Sequence, residues 1–226
     1  MCLLLAIETT TKNCSVAVFE KNTLLEFKEQ NSTEYSHAEQ LTFFIQSILE
    51  NIHITLEEID AIILSKGPGS YTGLRIGTST AKGLCYALDI PLISVSTLKV
   101  MASMVSNKNP QYKFYCPMLD ARRMEVFASI YDQLNNEVRE IRADIVDYSI
   151  YIDFLKHKVL FFGDGALKCK EVINNSNAYF LDGVFPSAKD MGALGFKKFE
   201  NQDFEDVAYF EPYYLKDFIV GPKKTG

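Results

Sequence analysis

The stretch SKGPGSYTGLRIG, residues 65 to 77, sets four glycines and a proline between the apolar run 61–64 and a segment with helical periodicity. A chain that leaves a strand, turns sharply and enters a helix needs residues without a side chain where backbones approach. This stretch therefore predicts a strand-loop-helix unit and places the chain in the α/β class. Three ligand-binding loops of that class fail by spacing. Gly67, Gly69 and Gly73 give GxGxxxG, one residue longer than the dinucleotide fingerprint. Gly73 is followed by Leu74-Arg75 where a phosphate-cradling Walker loop requires Lys-Ser/Thr, and Pro68 stands where a nucleophile elbow around Ser70 requires glycine.

The helix that follows carries small residues at Gly73, Gly77, Thr80 and Ala81, with Leu74, Leu84, Cys85 and Leu88 around them. Small residues let a second backbone come close. Two readings stay open: a tight contact inside the chain, or a surface that receives a helix of another subunit.

Elsewhere, apolar runs at 3–7, 15–19 and 23–29 predict three strands at hairpin spacing. Ser36-His37-Ala38-Glu39 reads as a capping box opening an amphipathic helix with Leu41, Phe44, Ile45, Ile48 and Leu49 inward. Thr55-Leu56-Glu57-Glu58 opens a short helix. A strand at 91–95 and a helix at 97–105 follow. The turn-rich SNKNP at 106–110 predicts a connector, which divides an N-terminal lobe, 1–106, from a smaller C-terminal lobe, 107–226. In the second lobe we expect strands at 114–119, 125–131 and 159–162, a helix after Gly163-Asp164-Gly165, helices at 148–156 and 191–200, and a frayed end at 221–226. The order of elements, three strands, helix, strand, helix, strand, helix and then a second lobe opening with strands, predicts an α/β fold with a mixed sheet. A net charge of −6 disfavours unaided binding to a polyanion except through a local basic patch. Five scattered cysteines without a CxxC motif predict reduced core thiols and a cytoplasmic protein. MCLLLAIETT has no basic flank and meets Glu8 too early for a signal peptide or membrane span, so no membrane association is expected.

LLAIETTTKNCSVAVF, SKGPGSYTGLRIGTSTAKGLCYALDIPLISVSTLKVMA, MLDARRMEVFASIYD and YFEPYYL together resemble the bacterial YeaZ/TsaB family. The resemblance is densest over 3–19 and 65–102 and implies an actin/Hsp70/sugar-kinase (ribonuclease H-like) type fold of two related lobes, with mixed sheets flanked by helices. It also implies a non-catalytic role: pairing with and activating the related catalytic subunit TsaD, with the ATPase TsaE, in making threonylcarbamoyladenosine beside the anticodon of ANN-decoding tRNAs. The tRNA would be met through the complex, and the chain alone would form a homodimer. By this resemblance the docking surface comprises the helices at 36–50 and 73–88, with His37, Leu41, Ile45, Gly69, Gly73, Arg75, Gly77, Thr80 and Ala81. No cofactor is implied for the chain itself beyond ATP or ADP at the subunit interface.

The residue chemistry is compatible with that picture. His37, His53 and His157 lie far apart in sequence, without the one-turn pair that places two imidazoles on one helix face for a metal. Kinases and ATPases of this fold use an aspartate at the end of the first strand and a hydroxyl-rich hairpin. Here Glu8, Thr9, Thr10, Thr11 and Lys12 stand there, with Asp120 and Asp164 as further carboxylates of such a cleft. The longer glutamate would displace a magnesium-bound water by about one methylene, an error of the order that costs about a hundredfold in rate. The competing function is a magnesium-dependent ATPase or small phosphotransferase built on these residues. Arg75 with Lys82, and Arg122 with Arg123, are the basic pairs available to an acidic partner or to RNA phosphate.

Overall fold

A computed structural model describes residues 2–31 and 37–216. The Ser36 half of the expected capping box and the end at 221–226 lie outside the described residues. Strands β1 (Leu3–Glu8), β2 (Asn13–Glu20) and β3 (Thr23–Asn31) form an antiparallel meander. β4 (Ala61–Ser65) and β5 (Leu92–Val95) add in parallel on the other side of β1, giving the order β3-β2-β1-β4-β5. Helices α1 (His37–Asn51) and α2 (Tyr71–Leu88) lie on one face.

The unbroken apolar run in β1 follows from burial on both faces. Leu3, Leu5 and Ile7 point to the core beneath α1 and α2, whereas Leu4 and Ala6 point to the opposite core with Val100, Met191 and Ala188. Each buried leucine or isoleucine side chain contributes about 1.5–3 kcal/mol.

Helix α3 (Thr97–Lys108) joins the halves of the molecule: Val100 packs on the first sheet, and Leu98, Met101, Ala102 and Val105 pack on the second. The second sheet, β6 (Phe114–Asp120), β7 (Glu125–Asp132), β8 (Glu137–Ile145), β9 (Val159–Phe162) and β10 (Ala178–Leu181), has the order β10-β9-β6-β7-β8. Again a meander of three antiparallel strands is extended by two parallel ones. The two lobes thus repeat one topology with mixed sheets, as expected.

Several local expectations are corrected. The segment 148–156 holds a chain of tight turns ending in the 3-10 turn Phe154–Lys156: Asp147 Oδ1 accepts from the amides of Ser149 (2.8 Å) and Ile150 (3.0 Å) as at a helix start, but the backbone bonds that follow, Ile152 N to Ser149 O, Phe154 N to Tyr151 O and His157 N to Phe154 O at 3.0 Å, close three-residue turns. The helix expected after Gly165 is only the 3-10 turn Leu167–Cys169. Strands β8 and β10 were not anticipated. Helix α4 (Gly192–Glu200) forms close to its expected place but packs on the first sheet, with Leu194, Phe196 and Phe199 beside Phe19 and Ile63. The closing segment stays there: Glu205 bridges Leu92, and Tyr213 N donates to Lys66 O at 2.7 Å.

No helix among the described residues is long and apolar enough to cross a membrane. All five cysteines are free, and burial pushes the thiols of Cys14 and Cys85 up to about 12, Cys14 also through the nearby Glu8 carboxyl.

Candidate functional site

Two layers of residues meet at the carboxyl end of β1. The hairpin Thr9-Thr10-Thr11-Lys12 crosses the start of α2 so closely that no side chain fits between them. A Cβ on Gly69 would sit 2.4 Å from Thr10 O, on Gly73 2.0 Å from Thr9 O, and on Gly77 2.4 Å from Thr9 Oγ1. Hydrogen bonds close the same seam: Thr9 Oγ1 donates to Gly73 O at 2.8 Å, and Ser70 N donates to Thr10 O at 2.7 Å. Ser70 caps α2 by accepting from Gly73 N. The glycine loop therefore binds the chain's own first hairpin.

Glu8 lies under this seam with no exposed surface. Its Oε1 accepts from Thr10 N at 2.6 Å, while Oε2 has no hydrogen-bond partner. Burial raises its pKa. The neighbouring Ser65 and Thr10 hydroxyls oppose the rise without completing a bond of normal geometry to Oε2. Ser65 Oγ is paired with Thr97 Oγ1 at 2.7 Å instead. A magnesium-nucleotide site does not fit here: the carboxyl is sealed, and the Thr9 hydroxyl is committed to Gly73.

The corresponding position in the second lobe is open. Asp120, 47% exposed, is ion-paired with Lys168 and accepts from Arg122 N at 2.9 Å. Asp164 Oδ1 accepts from Asp120 N at 2.9 Å, and Asp164 is pushed up by the protein around its carboxyl, against the Asp120 amide bond and the charges of Lys168 and Lys12. The charge of Lys12 in the first lobe thus acts on Asp164 in the second. The residues expected for a nucleotide cleft are divided: Glu8, Thr9 and Thr10 are enclosed, while Lys12 and Asp120 stay at the mouth.

The expected docking residues are corrected in the same way. Leu41 and Ile45 are 1% and 5% exposed in the core under the helices, and Gly73, Gly77 and Ala81 are buried, so these shape the helix pair from within and cannot touch a partner. Gly69 is taken by Thr10. Thr80 is half-buried, and Arg75 is exposed with its guanidinium 4.6 Å from the Tyr71 ring centre. His37 begins α1, but its side chain lies outside the described residues. Lys82, expected with Arg75 to be available to an acidic partner or RNA phosphate, instead donates to Ala208 O and Phe210 O at 3.0 and 3.2 Å and holds the closing segment.

The outward stripe of α2 is Thr72, Arg75, Ser79, Gly83 and Tyr86, all exposed. A Cβ on Gly83 would meet nothing within 4 Å, so no contact among the described residues requires glycine there, although glycine in a helix costs about 1 kcal/mol relative to alanine. Tyr86 is 87% exposed, and on α1 the outward Phe43 is 60% exposed. The sequence reading does not single out Gly83 or Phe43 as outward-facing. The available signal was a mid-helix glycine off the buried stripe.

Among the described residues, no three His, Cys, Asp or Glu side chains converge as metal ligands would.

Residues 31–212 match the family model described as TsaD: tRNA N6-adenosine threonylcarbamoyltransferase. The tRNA threonylcarbamoyladenosine biosynthesis protein TsaB of Escherichia coli (strain K12) is 30% identical over 99% of this chain and 98% of that protein. TsaB of Haemophilus influenzae is 31% identical over 99% and 97%. The fold matches that of YeaZ from Pseudomonas aeruginosa with a TM-score of 0.83 and 22% identity, over 95% of this chain and all of that one. The chain belongs to the TsaB family of proteins of tRNA threonylcarbamoyladenosine biosynthesis.

Proposed function

We propose that this chain serves tRNA threonylcarbamoyladenosine synthesis as a non-catalytic subunit, pairing with a TsaD-type transferase through the outward faces of α1 and α2. The sealing of Glu8 beneath Thr10 and Gly69 carries this reading, because it withdraws the carboxylate that a phosphotransferase of this topology would need. The outward stripe supports the docking assignment: Gly83 offers close approach, flanked by Tyr86 and Arg75, and aromatic and arginine side chains commonly anchor protein interfaces. In the same reading the complex includes a TsaE-type ATPase and works in the cytoplasm. ATP or ADP would sit only at the subunit interface, and the α1-α2 face would support a homodimer when no partner is present. Reconstitution tests it. With matched TsaD-type and TsaE-type proteins, modification of an unmodified tRNA transcript requires this chain, and the chain alone neither hydrolyses ATP nor modifies tRNA. Full modification without it, or enzyme-like ATP turnover by the purified chain that is lost in Glu8→Ala, overturns the proposal in favour of the phosphotransferase.

A further inference from the structure

The β6-β7 hairpin holds an uncommon turn. Residues 122–124 connect the paired residues Ala121 and Glu125, with Ala121 N donating to Glu125 O and Glu125 N to Arg122 O, both at 3.1 Å. Arg122 and Arg123 have φ of +70° and +48°. Left-handed backbone is disfavoured for residues with a Cβ, and glycine or asparagine normally takes it. The other described non-glycine residues with positive φ, such as Lys21, His53 and Asp89, occur singly, whereas here two arginines stand in succession.

Two carboxylates beside this turn are taken by other cations, whereas Asp147, next to Val146 whose N–H donates to Met124 O at 2.8 Å, accepts from the Ser149 and Ile150 amides and has no ion-pair partner among the described residues. Asp120 is paired with Lys168, whose ammonium also donates to Glu125 O at 2.7 Å, and Glu125 is paired with Lys216 from the closing segment. Both arginines are exposed, and neither guanidinium has a partner among the described residues. Lys12, exposed, adds a further positive charge that acts on Asp164. A chain of net charge −6 has here a local surplus of positive charge, held on a backbone that a neutral turn would adopt more easily.

We propose that the Arg122-Arg123 turn is a phosphate-binding element that contacts the backbone of the RNA substrate. Planar guanidinium forks match phosphate oxygens in bidentate geometry, and a fixed turn lowers the cost of ordering them. The choice of RNA as the source of phosphate rests on the tRNA-modification reading above.

The test compares the full-length wild-type chain with Arg122→Asn/Arg123→Gly, which suits the left-handed turn, and with Arg122→Lys/Arg123→Lys, which keeps the charge. Each is mixed with the transferase subunit, and affinity for a fluorescein-labelled unmodified tRNA transcript is followed against salt. The Asn-Gly variant is expected to melt no lower than wild type and to co-purify equally with the transferase subunit. It should bind the transcript about tenfold more weakly, with a log-log salt slope shallower by about 1.5, as for two lost phosphate contacts. The Lys-Lys variant is expected to keep most of the slope. An unchanged affinity and slope, or no transcript binding by wild type, overturns the proposal. Loss of transferase binding with RNA affinity retained overturns it too, and assigns the turn to an acidic protein surface. Wild type that fails to co-purify with the transferase subunit refutes the docking assignment instead, and transcript binding by the chain alone then decides the turn.

Discussion

The two lobes share a strand order and differ at every point where a ligand or partner could be met. Each first strand ends in a carboxylate, and each fourth strand runs into a Gly-x-Gly turn whose first glycine has nearly the same backbone angle, φ +106° at Gly67 and +107° at Gly163. In the first lobe that turn feeds the long helix α2, whose inward glycines clamp the Thr9-Thr10 hairpin over Glu8. In the second it feeds only a 3-10 turn, and Asp120 stays open in an ion-paired cluster with Lys168. The same topology thus gives a closed seam backed by exposed helices on one side and a charged rim on the other.

The largest expected effect separates the paired glycines. Gly69→Ala meets Thr10 O at 2.4 Å, whereas Gly165→Ala meets Leu119 C and Asp120 N at 2.9 and 3.0 Å. Overpacking costs about 1–3 kcal/mol, and the first substitution is expected at or above the upper end, the second near the lower. Thermal unfolding would show Gly69→Ala melting several degrees below Gly165→Ala, at about 2–4 °C per kcal/mol for a chain of this size. Equal losses would mean that the seam is no tighter than its counterpart.

A smaller effect tests the burial of Glu8. Because its pKa is raised by desolvation in the folded chain, its share of stability is complete below the unfolded value and is lost as pH rises through the folded one. Denaturant unfolding across pH is expected to show this decline in wild type and its absence in Glu8→Gln. Parallel curves would show that the carboxyl is solvated and the seam open.

The first lobe was largely legible in sequence because burial on both faces writes β1 as an unbroken apolar run and α1 as a clear helical period. The second was less so. β8, EVREIRADI, is a half-exposed edge strand whose charges read as loop, and β10 is four half-buried residues. At the site, the sequence located the small-residue helix but not its orientation. Gly73 and Gly77 look like Gly83 in sequence, and only the hairpin lying against the first two distinguishes an inward glycine from an outward one.

The most direct measurement is association of full-length Gly83→Phe with the TsaD-type subunit by analytical ultracentrifugation, beside wild type and Gly83→Ala. With open space around this Cβ, both variants are expected to fold, Gly83→Ala being more stable by about 0.5–1 kcal/mol, and Gly83→Phe alone is expected to lose the hetero-complex. A Gly83→Phe chain that still forms the complex with wild-type affinity would contradict the assignment of this helix face as the docking surface.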